Sequence, residues 1–533
     1  MELSWIVLLP PLAVIAIACL THNVLYALLS GVITASLIAC QGNIGASATL
    51  LLKKFGEATS LTDLWHNTAC YDHAYTLGFL VALGIIIELI THAGGLEAYG
   101  RLMHRWITRK KQVEAAPLFL SPLFFLDDYL NNLVGGAIVR PLFDQFHLAR
   151  AKLAYMLNAL SSSQSLLIPA SSWLAFIVMQ LQSAGISCAA SSLITADAFT
   201  LYVQTIPYLL YPILSIASVW IVVGLDISYG PMEKAEEKAR EHTYVNHQES
   251  RPKGTLSNFF IPLLSFLGGI PVALLILAQW HPWQTCTTLC GALANTDALF
   301  SALWWASIGA LCISSIYLYA TSALTASKLR TLFLAGASSM KSSVLLLTLA
   351  WMFASFLKHD VPTGAYLAKH LMNHAPHSII PALCFVTATL ITAIAGSSWG
   401  MIGIMIPLVL PLVTTMSNLP TPLLPALIPL LLPVLGAVLS GAAAGPHISP
   451  ITDAAIISSA TAQITPIQHI RTMLPYCVPP LLCTLAGFLA LPFLLPLSFI
   501  HMITFLALLI VAMALLHITI QRLFRKTGKS SVS

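Results

Sequence analysis

Long apolar runs recur through the whole chain and limit what it can fold into. They span residues 5–20, 24–40, 76–91, 117–139, 153–180, 199–225, 258–279, 298–320, 343–357, 378–415, 422–445 and 473–520. A helix that crosses the hydrocarbon core of a bilayer needs roughly 20 apolar residues. Since the longest runs have room for two crossings, the pattern predicts an all-α polytopic membrane protein with about 10–13 membrane segments.

The charge content favours the same fold class. Only 8% of the 533 residues are charged and 57% are hydrophobic, whereas soluble domains have about 25% charged residues. The first run follows no basic segment and is interrupted by Pro10 and Pro11, so we interpret it as a retained helix rather than a signal peptide. The cysteines are mostly scattered singly and indicate no disulfide framework.

The basic residues gather in short loops between the apolar runs. Clusters lie at 101–111, 234–253 and 522–529, and cytoplasmic loops of membrane proteins collect Lys and Arg. The net charge of +5 therefore indicates topology and not binding of nucleic acid. We expect all three clusters on the cytoplasmic side of a multi-pass protein of the cell (inner) membrane, with the lipid bilayer as its main partner.

A charged loop at 226–257 divides the chain into two halves that resemble each other. Each half has two polar, Gly/Ser/Pro-rich interruptions, at 126–132 and 158–173 and then at 395–400 and 439–459. Secondary transporters are commonly built from inverted repeats whose broken helices meet near the bilayer midplane. We therefore predict two inverted repeats with re-entrant hairpins and broken helices. The expected order is N-terminal helices at 1–75, a first transport repeat at 76–225, the loop at 226–257, a second transport repeat at 258–497, and a C-terminal helix with a basic tail at 498–533.

The positions of the basic loops predict one re-entrant segment. Three apolar runs separate the clusters at 101–111 and 234–253, and three full crossings would place these clusters on opposite sides of the membrane. If the run at 117–139 enters and leaves on the same face, both clusters are cytoplasmic. A re-entrant segment is tolerated only where it is buried in protein or lines a water-filled cavity.

Two adjacent acids interrupt the run at 117–139. An Asp at the centre of a membrane helix costs about 2.5–3.5 kcal/mol on insertion scales, so we expect Asp127 and Asp128 to have a function there. On a helix, Asn131 and Asn132 lie one turn further on the same face. Carboxylate and amide oxygens together suit a hard cation.

A buried carboxyl group disfavours its charged form, and a single group that binds either a proton or a cation is the simplest device for exchanging the two. The alternative is that the acidic pair lies at the mouth of a cytoplasmic loop, where Arg140 or Arg150 neutralises it. Ionisable residues within membrane segments are rare and mostly belong to functional sites, so we favour the interpretation of the acidic pair as an exchange site.

Two Ser-Ser-Trp motifs supply hydroxyl groups beside predicted helix breaks. They contain Ser171 and Ser172 in the first half and Ser397 and Ser398 in the second. Serine hydroxyls often bond back to their own helix, which remains the alternative for either pair alone. Because both halves carry the motif, we expect the four serines to line a site.

The segment GPHISPITD supplies a second-half counterpart to the acidic pair. Asp453 is the only acidic residue after Asp360, His447 is able to titrate near neutral pH, and Ser449 lies between them. A His447 that only bonds to backbone is an equal alternative. The Ser, His and Asp fall within seven residues of each other, unlike hydrolase triads, which gather from distant segments. Since no GxSxG, HExxH or CxxC pattern appears either, we expect the protein not to be an enzyme.

At these motifs the chain resembles the NhaC-type sodium/proton antiporter family. FLDDYLNNLVGGAIVRPLFD, ARAKLAYMLNALSSSQSLLIPASSW, GPMEKAEEKA, GSSWGMIGIMIPLVLPL, GPHISPITDAAIISSAT and HIRTMLPY follow in the family's order, from about residue 76 to 497. The resemblance implies the ion-transporter superfamily fold, with inverted repeats, two re-entrant hairpins and elevator-type motion. It also implies uptake of H⁺ against export of Na⁺, although some relatives exchange organic anions.

Two positions depart from the family pattern. Pro446 stands where the family usually has Asp between Gly and His, and Asn158 stands where it often has another Asp. The loss of two acids leaves the identity of the ion and the stoichiometry open. A transporter of an organic anion or other solute, coupled to Na⁺ or H⁺, is therefore the alternative.

The sequence as a whole predicts a Na⁺/H⁺ antiporter without a cofactor, in which Na⁺ and H⁺ are the transported ions. The proposed ion and proton ligands, with Na⁺ at the first two, are Asp127, Asp128, Asn131, Asn132 and Asp453. The residues expected to line the site are Asn158, Ser171, Ser172, Ser397, Ser398, His447 and Ser449. The sequence leaves open whether the protein is a homodimer.

Overall fold

The structure is a computed structural model. It describes residues 5–21, 23–60, 72–95, 98, 101–102, 107, 109–125, 127–169, 171–188, 192–241, 254–279, 299–363, 366, 376–417, 419–496 and 498–530. Of the expected basic loops, Arg105, Arg251 and Lys253 lie outside these residues.

Helices make up nearly all of the described chain. Up to the charged loop they are α1 (Leu9–Thr21), α2 (Val24–Ala39), α3 (Ile44–Ala58), α4 (Asp72–His92), α5 (Lys110–Leu120), α6 (Asp128–Gln145), α7 (Arg150–Leu167), α8 (Ser172–Ser183), α9 (Ala198–Thr205), α10 (Leu210–Gly224) and α11 (Pro231–Glu241). After it come α12 (Ser257–Leu277), α13 (Leu299–Ala320), α14 (Ala326–Ser339), α15 (Lys341–His359), α16 (Ile380–Ala395), α17 (Ser398–Met416), α18 (Leu431–Ala444), α19 (Asp453–Thr461), α20 (Pro466–Leu494) and α21 (Phe499–Ser530). Two short strands in the described part, β1 (Ile186–Ser187) and β2 (Ile194–Thr195), pair in parallel.

Many of these helices are long and apolar enough to cross a bilayer. In the described residues eight spans meet that test, or up to ten if each of two bent helix pairs is one span. The bent pairs are α7 with α8, and α9 with α10. The prediction of an all-α polytopic membrane protein is confirmed, whereas the eight to ten spans of the described residues reach the expected 10–13 segments only if each bent pair is a span.

The chain forms two compact units, each assembled from separate stretches of sequence. One unit comprises Met1–Leu51, Thr108–Asn246 and Leu349–Ser533, and the other comprises Leu52–Ile107 and His247–Thr348. The two units are defined by which residues contact each other, and this does not test whether the two halves of the chain repeat. The expected division into two transport repeats therefore remains a prediction. All of the expected site residues belong to the first unit.

The second unit is held together by close helix packing. Helix α13 lies against α12 and α4, and α14 also packs on α4. A Cβ atom at Gly336 of α14 would lie 2.5 Å from the Cα of Ile85 on α4. Small residues allow membrane helices to approach this closely, so a side chain at Gly336 would force α4 and α14 apart.

Helix α7 forms the centre of the first unit. Every residue from Ala151 to Leu166 is buried, and the helix packs against α6, α10, α19 and α20. Its buried residues nevertheless include Asn158 and the polar run from Ser161 to Ser165. Since buried polar groups need hydrogen-bond partners, this helix places a polar interior inside an apolar bundle.

The helices around α7 are interrupted at the four predicted polar stretches. The first interruption separates α5 from α6, and α5, with 11 residues, is only about 16 Å long. That is about half of a hydrocarbon core of about 30 Å, as expected of a re-entrant segment at 117–139. The second interruption bends α7 against α8 by 52°.

The two remaining interruptions lie in the second half of the sequence. Helix α16 ends at Gly396, whose φ of +78° is left-handed, a conformation that favours glycine at the end of a helix. Helix α18 continues into a 3-10 turn at Gly445–His447, and α19 begins at Asp453. The interruptions therefore fall where the polar stretches of the sequence predicted them.

Candidate functional site

Asp127 ends the first interruption and starts helix α6. Its backbone is extended, and its Oδ1 accepts from the backbone N–H groups of Tyr129 (2.9 Å) and Leu130 (3.1 Å). Its Oδ2 accepts from the Ser172 hydroxyl at 3.0 Å. A carboxylate that accepts from the first N–H groups of a helix is an N-cap. Both oxygens of Asp127 are thus occupied, and the residue connects the start of α6 to the start of α8.

Asp128, the first residue of α6, is in a different situation. Its side chain is buried, and its Oδ1 has no hydrogen-bond partner among the described residues. The Trp173 indole lies beside this carboxyl group but outside hydrogen-bond geometry. The N-terminal position on a helix favours a negative charge, yet the free oxygen leaves the carboxyl group able to accept a ligand.

Asn132 lies one turn after Asp128 and also offers a free oxygen. Its Nδ2 donates to the Asp128 carbonyl oxygen at 3.0 Å and to Ser161 Oγ on α7 at 2.9 Å. With the nitrogen fixed by these two bonds, Oδ1 is buried and has no partner in the described structure. Residues four apart lie on one face of a helix, so Asp128 and Asn132 present two unpartnered oxygens on the same side of α6.

Asn131 has a structural role at the start of α6. Its Nδ2 donates to the Ser121 carbonyl oxygen at 3.0 Å, and its Oδ1 accepts from the Ser121 hydroxyl at 2.9 Å. These two bonds close the first interruption by joining α6 to the turn that follows α5. Both polar atoms of the Asn131 amide are thus bonded to Ser121, and its predicted role as an ion ligand beside Asp127 and Asp128 stays a prediction.

Asp453 meets the first-half acids through a tyrosine. The Tyr129 hydroxyl donates to Asp453 Oδ2 at 3.2 Å, and Tyr129 directly follows Asp128 on α6. The backbone N–H of Asp453 donates to the Gly396 carbonyl oxygen at 3.1 Å. Asp453 is exposed, in contrast to Asp127 and Asp128. It thus links α6, the end of α16 and the start of α19.

The two Ser-Ser-Trp motifs have the same local role. Ser171 caps α8 and Ser397 caps α17, each accepting from the backbone N–H three residues on. The motifs also meet, because the rings of Trp173 and Trp399 lie 6.2 Å apart, edge to face. However, the first motif follows the second interruption of the first half, whereas the second motif follows the first interruption of the second half. The two motifs therefore resemble each other in how they start a helix, and not in their place within each half.

The other two serines of the expected site are bonded to the backbone of neighbouring helices. Ser398 Oγ donates to the Ala442 carbonyl oxygen of α18 at 2.7 Å. Ser449 Oγ donates to the Ala393 carbonyl oxygen of α16 at 2.6 Å. These hydroxyls tie α17 to α18, and the stretch after the 3-10 turn to α16. Their geometry fits a role in holding the interruptions in place.

His447 and Asn158 belong to a separate polar cluster. His447 is fully buried, with Nδ1 2.7 Å from the Tyr211 hydroxyl and Nε2 3.2 Å from the Asn158 carbonyl oxygen. A carbonyl only accepts, so Nε2 carries the proton of the ring and Tyr211 donates to Nδ1. Asn158 Nδ2 in turn donates to the Pro446 carbonyl oxygen at 3.1 Å. The two positions that depart from the family pattern are therefore in direct contact.

A further group of buried charges lies outside the predicted site. Lys152 Nζ on α7 lies 2.9 Å from a Glu236 carboxylate oxygen on α11 and 3.3 Å from a Glu114 carboxylate oxygen on α5. The side chains of Lys152 and both glutamates are almost entirely shielded. The ion pairs therefore connect three helices and place opposite charges against one another.

Several polar residues around the site were not predicted from the sequence as contacts. Tyr129, Ser161 and His469 belong to the motifs described above, whereas Tyr211 lies outside them. Ser161 lies 29 residues from Asn132, and His469 lies 311 residues from Asn158. Only the polar run at 158–173 pointed to Ser161; for His469, spacing along the chain offered no indication.

Comparison with known proteins is consistent with this architecture. Residues 165–495 match the model of the Na⁺/H⁺ antiporter family. An uncharacterized protein of Haemophilus influenzae is 27% identical over 499 residues, which cover 91% of this chain and 90% of the relative.

Two solved structures are also similar. The YdaH transporter of Alcanivorax borkumensis has a TM-score of 0.57 at 16% identity, over 83% of this chain and 90% of that one. This likeness concerns the fold alone. MtrF of Neisseria gonorrhoeae, from a class of antimetabolite efflux pumps, has a TM-score of 0.42 at 15% identity, over 84% and 87% of the two chains.

Proposed function

The chain belongs to the Na⁺/H⁺ antiporter family, and from this premise we propose that it exchanges cytoplasmic Na⁺ for external H⁺ at Asp128. It is a multi-pass membrane protein with the fold of a transporter. In this proposal it is an NhaC-type member, it lies in the cell (inner) membrane, and its basic loops are cytoplasmic. Na⁺ and H⁺ are the transported ions, and no cofactor takes part.

The pair of free oxygens on α6 carries the proposal. Asp128 Oδ1 and Asn132 Oδ1 are buried, lie one turn apart and have no partner among the described residues. An unpaired carboxylate removed from water is strongly disfavoured and becomes stable only with a proton or a counter-charge. Na⁺ and H⁺ both meet that need, and they cannot do so at the same oxygen simultaneously.

Competition for this carboxyl group explains the coupling of the two ions. Where the proton concentration is low, Asp128 loses its proton and its oxygens, with Asn132 Oδ1, bind Na⁺. Where the proton concentration is high, the proton displaces Na⁺ and neutralises the same group. Each turnover then carries either ion but not both, which gives exchange without covalent chemistry.

The surrounding residues hold the site in this proposal. Asp127 fixes the start of α6 and Ser172 holds Asp127. Ser161 fixes the amide nitrogen of Asn132, so that the oxygen faces the site. Asp453, joined to Tyr129, contributes negative charge from the second half of the sequence.

A second candidate is transport of an organic anion coupled to Na⁺ or H⁺. The observation that favours it is a pair of buried donors. The indole nitrogens of Trp173 and Trp399 have no hydrogen-bond partner among the described residues, and each lies in the first turn of a helix, α8 or α17. Helix N-termini attract anions, so a carboxylate-bearing solute would find donors there.

Purified protein in proteoliposomes distinguishes the two functions. With a pH-sensitive dye inside the vesicles, a Na⁺ gradient should drive proton movement in the wild type. Asp128→Asn, which keeps the shape but cannot exchange a proton for Na⁺, should abolish it. Asp197→Asn is the matched control because Asp197 is the N-cap of a different helix, α9, and Asn caps equally well. Full exchange by Asp128→Asn would refute the proposal, and proton movement driven only by an added organic acid would favour the second candidate.

A further inference from the structure

The amide nitrogen of Asn158 is surrounded by acceptor atoms from distant parts of the chain. Nδ2 lies 3.1 Å from the Pro446 carbonyl oxygen, 3.1 Å from His469 Nε2 and 3.5 Å from Met473 Sδ. The side chains of Asn158 and His469 are fully buried. An oxygen, a nitrogen and a sulfur atom therefore converge on one N–H₂ group on α7.

The orientation of this amide follows from its partners. Reversing it would place Asn158 Oδ1 against the Pro446 carbonyl oxygen, and two acceptors repel each other. Since Nδ2 must face Pro446, the same nitrogen faces His469 Nε2, which accepts. A neutral His469 then carries its proton on Nδ1, which is buried without a hydrogen-bond partner among the described residues, and Ser458 Oγ lies 3.2 Å from Nε2 as a second neighbour.

The cluster contains no formal charge. His447 is neutral as well, since its Nε2–H donates to the Asn158 carbonyl oxygen and its Nδ1 accepts from Tyr211. The Cys477 thiol bonds to the His447 carbonyl oxygen at 3.6 Å. The converging lone pairs at Asn158 are thus met by amide hydrogens alone.

We propose that the Asn158 amide occupies a second cation position and so limits the chain to one cation, bound at Asp128 and Asn132. Lone pairs of a carbonyl oxygen, an imidazole nitrogen and a thioether sulfur point at one place, and a positive charge there would be attracted by all three. The uncharged N–H₂ group of Asn158 donates to these acceptors and so takes the place of a bound cation. Asn158 is therefore a determinant of stoichiometry for the proposed exchange, and the inference rests on that proposed function.

The two positions are connected through α7. Ser161 Oγ, which accepts from Asn132, also lies 3.4 Å from the Asn158 carbonyl oxygen. A carboxylate at position 158 would put negative oxygen against the Pro446 carbonyl oxygen and His469 Nε2. Since all three groups would then be acceptors, a cation or a proton would have to lie between them.

Direct binding of radioactive ²²Na⁺ to purified protein in detergent, at a pH well above neutral, tests the inference. We expect one Na⁺ per chain for the wild type and two for Asn158→Asp. Asp128→Asn should bind none, and the Asp128→Asn/Asn158→Asp double variant should bind one. The inference is overturned if Asn158→Asp binds as many Na⁺ as the wild type, or if the double variant binds as many as Asp128→Asn.

This design separates the inference from the function on which it rests. If the wild type and Asp128→Asn bind Na⁺ equally, the proposed site at Asp128 is wrong. The additional Na⁺ expected for Asn158→Asp is counted relative to the wild type, so it does not depend on whether Asp128 is the first site.

Asn158→Ala keeps the test decisive if Asn158→Asp does not fold. This variant removes the donor and leaves the acceptors facing an open position, so Na⁺ should raise its melting temperature by more than that of the wild type. An equal response of the two proteins to Na⁺ would contradict the inference.

Discussion

Two groups of buried charges lie in the same compact unit, and they differ in whether the charges are paired. Around Lys152, the ammonium group lies against both Glu236 and Glu114. Around Asp128, the carboxyl group and the neighbouring Asn132 each keep an oxygen with no partner among the described residues. In the first arrangement each charge has an opposite charge beside it, although Glu236 Oε1 meets Lys152 Nζ outside hydrogen-bond geometry. In the second arrangement the carboxyl group has no such counter-charge among the described residues.

The difference shows how buried charge should be interpreted in this protein. A buried ion pair need not add net stability, but removing one member leaves an uncompensated charge. Loss of Lys152 should therefore affect folding. Loss of the Asp128 charge removes an unpaired group, so it should affect transport and leave folding intact.

The largest effect on stability is expected at the paired group. Lys152→Met leaves Glu114 and Glu236 without their common partner, and should lower the free energy of unfolding by about 3–5 kcal/mol. The melting temperature in detergent, followed by tryptophan fluorescence, measures it. Lys234→Met, at an exposed position on α11, is the control. The contrast between the two groups fails if Lys152→Met melts with the wild type.

Removal of the glutamate charges sharpens the same comparison. Adding Glu114→Gln and Glu236→Gln to Lys152→Met removes the uncompensated charges, because amides need no counter-ion. We expect the triple variant to recover most of the lost melting temperature. A triple variant less stable than Lys152→Met would show that the loss comes from packing and not from charge.

The next effect is ligand-dependent and belongs to the unpaired group. A ligand that binds only the folded protein stabilises it by about 1.4 kcal/mol at ten times its Kd. NaCl should therefore raise the melting temperature of the wild type, while choline chloride at the same ionic strength should not. Asp128→Asn should lose this response without a lower melting temperature in choline. A sodium response that survives in Asp128→Asn would place the cation elsewhere.

A smaller effect separates Asp127 from Asp128. Because Asp127 is a helix cap, Asp127→Ala should cost about 1 kcal/mol of stability. Asp127→Asn should cost much less and should retain most of the Na⁺-driven exchange, because Asn also caps helices well. Exchange by both variants in proteoliposomes, together with their melting temperatures, checks this. Complete loss of exchange in Asp127→Asn would make Asp127 an ion ligand.

The smallest effect is expected at the link to the second half of the sequence. Tyr129→Phe removes one hydrogen bond to the exposed Asp453, which should change stability by about 1 kcal/mol or less. Combined with Asp453→Asn in a double-mutant cycle, it should show non-additive effects on exchange rate, because both changes break the same contact. Strictly additive effects would mean that the contact plays no part in exchange.

The sequence predicted the interruptions and the acidic pair because both depend on local rules. Polar and Gly/Ser/Pro-rich stretches within apolar runs mark broken helices, and acids in such runs stand out by their cost. Asn131 was expected beside the acids, but the helix starts at Asp128 and directs it to Ser121, ten residues earlier. That outcome depends on the exact residue at which the helix begins.

Contacts between distant segments could not be predicted in the same way. The bond between Asn158 and His469 joins residues 311 positions apart, and helical periodicity cannot indicate which faces will meet. The contact between Asn158 and Pro446 is similar, since each position stood out alone in the sequence and only the fold shows that they touch. Local chemistry located candidate residues, and packing determined which of them act together.

Helix α7, buried throughout its length, has a consequence for how the protein is made. It emerges from the ribosome with α6, but α19 and α20, which also enclose it, are synthesised long afterwards. Alone in lipid, a segment with Lys152, Asn158 and a run of serines would be a poor substrate for membrane insertion. Its polar face must remain sheltered by early neighbours until the late helices dock, so assembly of the interior is completed only when synthesis is nearly over.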